Sequence, residues 1–289
     1  MACGNWWYSS PHRWSPERRR TLHPNLSINQ LSLVPAAFDK QVDVVARIGA
    51  TAITPDIVQL VDVPAAQAAR LIGDAGLQAA ALTHRAFGFA DAIETDAARE
   101  RLERSIEFAA AIGAGNIVMT TGGRGLLKWG DAAKRFTEAI APCAAKARTA
   151  GITLGIEPTS HLYADVSIAN RLSDCTALAL LANVSVTIDL FACWADADIN
   201  AAITEAGSHT SLVQVSDYVY GDRGLPCRAV PGDGAVPFDW LLPDIVAAGF
   251  SGMFDLEIIG PRLQTEGIEI GLKRSADKIG IILESAGLT

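Results

Sequence analysis

From residue 26 onward, short runs of apolar, β-favouring residues alternate with longer stretches whose apolar positions recur every three to four residues. The short runs are Leu26 to Leu33, Ala52 to Pro55, Leu77 to His84, Asn116 to Thr121, Thr153 to Glu157, Val184 to Leu190, Leu212 to Asp217 and Met253 to Ile259. Between them, stretches such as Asp96 to Ile112 and Ala132 to Ala150 are Ala-rich and amphipathic at helical spacing. Several of these stretches stop at a glycine before the next strand, as in Ile48-Gly-Ala, Ile112-Gly-Ala-Gly and Thr149-Ala-Gly. Eight such β/α alternations predict a parallel eight-stranded (β/α)8 TIM barrel. With no long polar linker, residues 25–289 read as one barrel domain and residues 1–24 as an N-terminal extension outside its core. The rival open sheet is disfavoured, because no Gly-rich dinucleotide fingerprint follows the first strand, where the chain runs Ile28-Asn-Gln-Leu-Ser-Leu-Val-Pro35.

Composition narrows the class. A chain of 289 residues that is 49% hydrophobic can bury one large core. Its formal net charge of -8 opposes association with nucleic acid or an anionic membrane, while a small anionic substrate stays compatible. Five scattered cysteines without CxxC spacing argue against a disulfide framework or a structural zinc site, so a reducing cytoplasm is expected. No apolar run is long enough to suggest a membrane span, and the opening residues lack the order of a signal peptide. The aromatic and arginine side chains of that opening segment leave a homo-oligomer compatible with the sequence.

Barrel chemistry gathers where the strands end. There the sequence places Thr83-His84-Arg85, Glu157-Pro158-Thr159-Ser160-His161, Asp189, Gln214-Val-Ser-Asp217 and Glu257. Three carboxylates converging on one small volume repel one another unless they are protonated or share a cation. Glu157, Asp189, Gln214 and Glu257 together form an oxygen-rich donor set. Such a set suits one divalent ion, Mn2+ or Mg2+, with Co2+ tolerated and Zn2+ less favoured in the absence of His or Cys.

The segments Leu154-Gly-Ile-Glu-Pro158, Thr187-Ile-Asp189, Val213-Gln-Val-Ser-Asp217, Arg228-Ala-Val-Pro-Gly-Asp-Gly234 and Asp255-Leu-Glu257 resemble the xylose-isomerase-like sugar phosphate isomerase/epimerase family, over roughly residues 26 to 286. The resemblance implies a TIM barrel with a Glu, Asp, His, Glu metal set, whose two glutamates double as the acid/base pair. Glu157, Asp189 and Glu257 match that set, but Gln214 stands where the family usually has His. In this the chain is similar to the dehydroshikimate dehydratase branch. Ala192 stands where many relatives carry a substrate-binding His, so His161 or His84 is expected to supply that contact. The resemblance also places Arg228 near the substrate's oxygen atoms or phosphate. Asp217 is read either as a ligand or water contact or as an exposed loop acid.

Three functions follow as expectations. The first is a metal-dependent isomerase or epimerase of a keto sugar, inosose or related polyol, with Glu157 and Glu257 transferring protons next to a metal-bound carbonyl. The second is a lyase, a dehydratase or eliminase of a cyclic hydroxy-ketone resembling 3-dehydroshikimate. The third is a barrel that binds metal and sugar without catalysis. The superfamily's endonuclease branch needs a His-rich multi-zinc site and a basic surface, which five histidines and a negative net charge do not offer.

Overall fold

The computed structural model describes residues 22–288. Its strands are β1 (Leu26–Asn29), β2 (Ala52–Thr54), β3 (Gln78–Ala79), β4 (Leu82–Thr83), β5 (Asn116–Met119), β6 (Thr153–Ile156), β7 (Ser185–Asp189) and β8 (Thr210–Val215), followed by a hairpin of β9 (Asp217–Tyr218) and β10 (Arg228–Ala229), and by β11 (Phe254–Leu256). The main sheet runs β3-β2-β1-β11-β8-β7-β6-β5-β4, with parallel pairing throughout. Its two ends, β3 and β4, are halves of a single run interrupted at Ala80-Ala81. A parallel bridge from Asp56 to Thr83 joins the continuation of β2 to β4, so the ring closes as an eight-staved barrel. The sequence reads Leu77 to His84 as one strand, and the interruption is an irregularity of the bulge kind that periodicity does not reveal. Likewise Leu26 to Leu33 is strand only to Asn29. The Asn29 side chain accepts from Leu31 N at 3.0 Å and turns the chain into a short 3-10 helix.

The helices form the outer layer. In α1 (Phe38–Ile48), Phe38, Val42, Val45 and Ile48 share the buried face, and Gly49 ends the helix at φ 86°, a conformation that favours glycine. In α2 (Ala92–Ile112), Asp91 accepts from Glu94 N while the Glu94 carboxylate accepts from Ala90 N, a reciprocal cap. One hydrophobic cluster runs from Leu22 to Leu283. Leu22 and His23, which the sequence assigns to the extension, are buried in the structure, and His23 Nε2 lies 2.9 Å from Leu288 O. The barrel thus takes in these residues, and residues 1–21 lie outside those described.

Two features below the barrel mouth support the site. Asp255 in β11 is fully buried and accepts from Ser27 Oγ, Thr54 Oγ1 and Asn29 Nδ2 at 2.6, 2.7 and 2.8 Å. This polar layer ties β11 to β1 and β2 directly beneath Glu257. Gly155 in β6 leaves space for its neighbours, since a Cβ there would meet Ser211 Oγ at 2.6 Å and Thr187 Oγ1 at 2.7 Å. Cys143, Cys175, Cys193 and Cys227 are buried free thiols. Among the described residues, no helix is long and apolar enough to cross a membrane.

Candidate active site

Parallel strands deliver their last residues to one rim, and each acid of the site follows from that. Glu157 comes directly after β6 with its N–H bonded to Met119 O, and Glu257 comes directly after β11 with its N–H bonded to Val215 O. Asp189 ends β7 and accepts from Phe191 N at 3.0 Å, capping the short helix Leu190–Cys193. Gln214 lies in β8, paired with Asp189 on one side and Asp255 on the other. Glu157, Asp189, Glu257 and Arg228 line one cavity of about 410 Å3, together with Thr83, His84, Arg85, Thr159, Ser160 and an apolar wall that includes Phe191, Ala192 and Pro226.

Arg228 is the cation of this cluster. Its guanidinium donates to Asp189 Oδ1 at 3.0 Å and Oδ2 at 2.7 Å, donates to Ser216 Oγ at 2.9 Å, and reaches Glu257 Oε2 at 3.2 Å. It also sits 4.7 Å from the centroid of the Phe191 ring. Burial disfavours its charge, but Asp189 and Glu257 more than offset this and hold it protonated. The two glutamates are displaced the other way. Burial, then the charges of Glu257 and Asp189, push the Glu157 carboxyl well above its ordinary range, against the opposing pull of Arg228 and a hydrogen bond with Gln214. Burial pushes Glu257 up to about 7, with Arg228 opposing and Asp189, Asp255 and Asp56 adding to the rise.

This displacement has a measurable sign. Between pH 4.5 and 7 the folded protein holds the Glu257 proton that the unfolded chain has released, so this group lowers stability progressively as pH rises through that window. In chelator, Glu257→Gln is expected to gain stability over the wild type across the same interval, by about 3 kcal/mol at its upper end. Urea unfolding of both proteins at several pH values checks this, and a pH-independent difference would refute it.

The fit of a divalent ion rests on two observations. Glu157 Oε2 and Gln214 Oε1 are buried without any hydrogen-bond partner, and the set of three carboxylates and one amide oxygen is hard-donor chemistry. The donor types therefore fit. As they stand, however, no three His, Cys, Asp or Glu side chains among the described residues are close enough to hold one ion, and Arg228 bridges Asp189 and Glu257.

The other expected residues divide. His84 lines the cavity and is buried, with Nδ1 2.9 Å from Ser105 Oγ. The Ser105 hydroxyl donates to Arg101 O, so it accepts from His84 Nδ1–H and leaves Nε2 as an acceptor without a partner. Burial, then Arg101 and Arg85, lower the His84 pKa to about 4, which keeps the ring neutral. His161 is exposed in a 3-10 turn (His161–Tyr163) and does not line the cavity, because the chain after Glu157 leaves the barrel rim. Asp217 is fully buried rather than a loop acid, and it faces backbone rather than ligand. It accepts from Tyr218, Gly232, Gly234 and Val236 N–H at 2.8, 2.8, 2.9 and 3.0 Å. Thr121-Gly-Gly is a packing turn: Gly122 N–H bonds Val166 O, and the Gly122 and Gly123 Cα atoms lie against other backbone. Trp129 and Trp194 lie outside the cavity lining. The sequence reading missed Ser216 and Phe191, which fix Arg228, and Ser105, which orients His84. Ser216 lies inside a quoted motif and Phe191 two residues beyond another, whereas Ser105 lies on a helix face with no chemical signature.

Residues 42–278 match the xylose isomerase-like TIM barrel family, and the chain belongs to that family. No curated protein matches the sequence significantly. Among solved structures, protein SMc04130 from Sinorhizobium meliloti 1021 is 26% identical with a TM-score of 0.80, covering 91% of this chain and 98% of its own. The IOLI protein with a binding zinc atom is 16% identical with a TM-score of 0.79, covering 90% of this chain and 98% of its own. The 3-keto-D-glucoside 4-epimerase YcjR from E. coli is 15% identical with a TM-score of 0.72, covering 88% of this chain and 99% of its own. At identities below a quarter, these last two show a shared barrel.

Proposed function

We propose that this chain is an isomerase or epimerase of a keto sugar, inosose or related polyol, working by proton transfer at the carbon next to a carbonyl. The observation that carries the reading is the pair of carboxyls, Glu157 and Glu257, facing one cavity, each with its proton affinity raised above the ordinary carboxylate range chiefly by burial. A group titrating near 7 is suited to take a proton from carbon and give one back. Glu157, whose proton affinity burial and the neighbouring Glu257 and Asp189 charges raise, would be the partner that returns a proton, and the two would exchange roles in the reverse reaction. Glu157, Asp189, Gln214 and Glu257 would hold a divalent ion, with Mn2+ and Mg2+ the expected metals. Such an ion, when bound, supplies charge stabilisation for the developing enolate. The zinc named in the IOLI structure supports divalent binding in this barrel type without selecting the metal here.

The buried Nε2 of His84 asks for a donor, which a substrate hydroxyl provides. His84→Leu is expected to raise KM about tenfold while changing kcat little, since one neutral hydrogen bond is lost. Steady-state kinetics decide this, and an unchanged KM would remove His84 from the substrate site. Between pH 6 and 8 no inflection in KM should trace to this residue, because its ring is already neutral there.

A second reading is favoured by Gln214 together with Ala192 in the cavity wall: loss of water from a cyclic hydroxy-ketone after the same proton abstraction. Incubation of metal-loaded protein with keto sugars, inososes and 3-dehydroshikimate in deuterated water separates the readings. A product heavier only by the incorporated deuterium supports isomerisation, loss of water supports the lyase, and no exchange with any compound refutes both for that panel.

A further inference from the structure

We infer that Arg228 is a tethered cation that competes with a divalent ion for Asp189 and Glu257, so that metal binds only when the arginine withdraws. The inference rests on the metal reading above. Both oxygens of Asp189 are engaged by the two guanidinium nitrogens, at 3.0 and 2.7 Å, and Glu257 Oε2 is 3.2 Å from one of them. A carboxylate bound in this bidentate manner has its best lone pairs directed at the arginine. A doubly charged ion entering beside it meets both a lost ligand and a like charge.

The arginine is seated rather than merely near. Ser216 Oγ takes a third hydrogen bond and Phe191 backs the guanidinium plane, while Arg228 itself lies on β10, which is held against β9 by a two-residue antiparallel pairing. Withdrawal breaks these contacts, yet the cavity offers room on the same side, since Arg228 lines its wall. Two states follow: one with the arginine on the acids, and one with the acids free for metal. When the competent state is the minor one, the apparent dissociation constant rises in inverse proportion to its population. The Gln214 amide oxygen is a neutral and weaker donor than an imidazole, so it pulls the balance less strongly toward metal.

The test is a titration of the chelator-treated full chain with Mn2+, followed by calorimetry and by the paramagnetic signal of free Mn2+. Arg228→Ala is expected to bind Mn2+ about tenfold tighter than the wild type, or more. Arg228→Gln, which keeps a side chain able to reach Ser216, should do the same and guards against a folding defect in the alanine variant. Added guanidinium ion should weaken Mn2+ binding to Arg228→Ala more than sodium chloride does at equal ionic strength, because it refills the vacated seat. Equal affinity in wild type and variants, or guanidinium acting no differently from sodium, overturns the competition while leaving the metal reading intact. Mn2+ binding by none of the three proteins overturns the metal reading and this inference with it.

Discussion

Glu257→Gln should reduce turnover and solvent-deuterium incorporation by roughly 10³-fold, within the range expected when a positioned acid/base group is removed. The substitution keeps shape and removes the ability to carry a proton. The backbone of the residue stays bonded to Val215 O, so the strand end that carries the side chain should stay in place. Glu157→Gln is expected to cost a similar factor. The double variant should lose little beyond either single change, because a proton relay fails once one member is gone. Mass spectrometry of the recovered substrate measures the exchange, and activity of Glu257→Gln within tenfold of wild type would rule out its proton-transfer role.

Asp217→Ala is expected to destabilise the fold by about 4 kcal/mol, from backbone N–H groups left without an acceptor at about 1 to 3 kcal/mol each, partly recovered by water. For a chain of this size that corresponds to a fall in Tm of about 10 °C. The four donors come from Tyr218 and from the Gly232–Val236 turn, so one carboxylate fastens the loop that follows Arg228 to the end of β8. Gly234 is part of the same fastening, as a Cβ there would stand 2.3 Å from Tyr218 O. Asp217→Asn retains one good acceptor and should lose about half as much. A urea midpoint unchanged in Asp217→Ala would disprove the fastening role.

The barrel was legible because its signals are local. Apolar runs ending in acids, and helices ending in glycine, repeat within windows of some thirty residues, and strand-end placement then singles out Glu157, Asp189 and Glu257. What escaped depends on partners distant in sequence or on the detailed path of the backbone. Asp217 and its turn are 15 to 19 residues apart, Arg228 and Asp189 are 39 apart, and neither pairing leaves a periodic trace. His161 is close to Glu157 in sequence, yet the 3-10 turn carries it outward. The interruption at Ala80-Ala81 is invisible for another reason: small apolar residues suit a strand and a break in one equally.

The buried thiols of the fold give it a built-in clock. Cys175 and Cys193 are pushed well above the ordinary thiol range, and Cys143 to about 11, in each case chiefly by burial. A disulfide reagent needs thiolate and access, and the closed barrel denies it both. Modification at these positions therefore waits for the surrounding segment to open, and its rate under native conditions reads the opening frequency of that segment. Cys227 lies in the cavity wall beside Arg228 and Cys193 in the short helix that Asp189 caps, so their labelling reports on the mouth, while Cys143 and Cys175, on outer helices, report on the layer around the barrel.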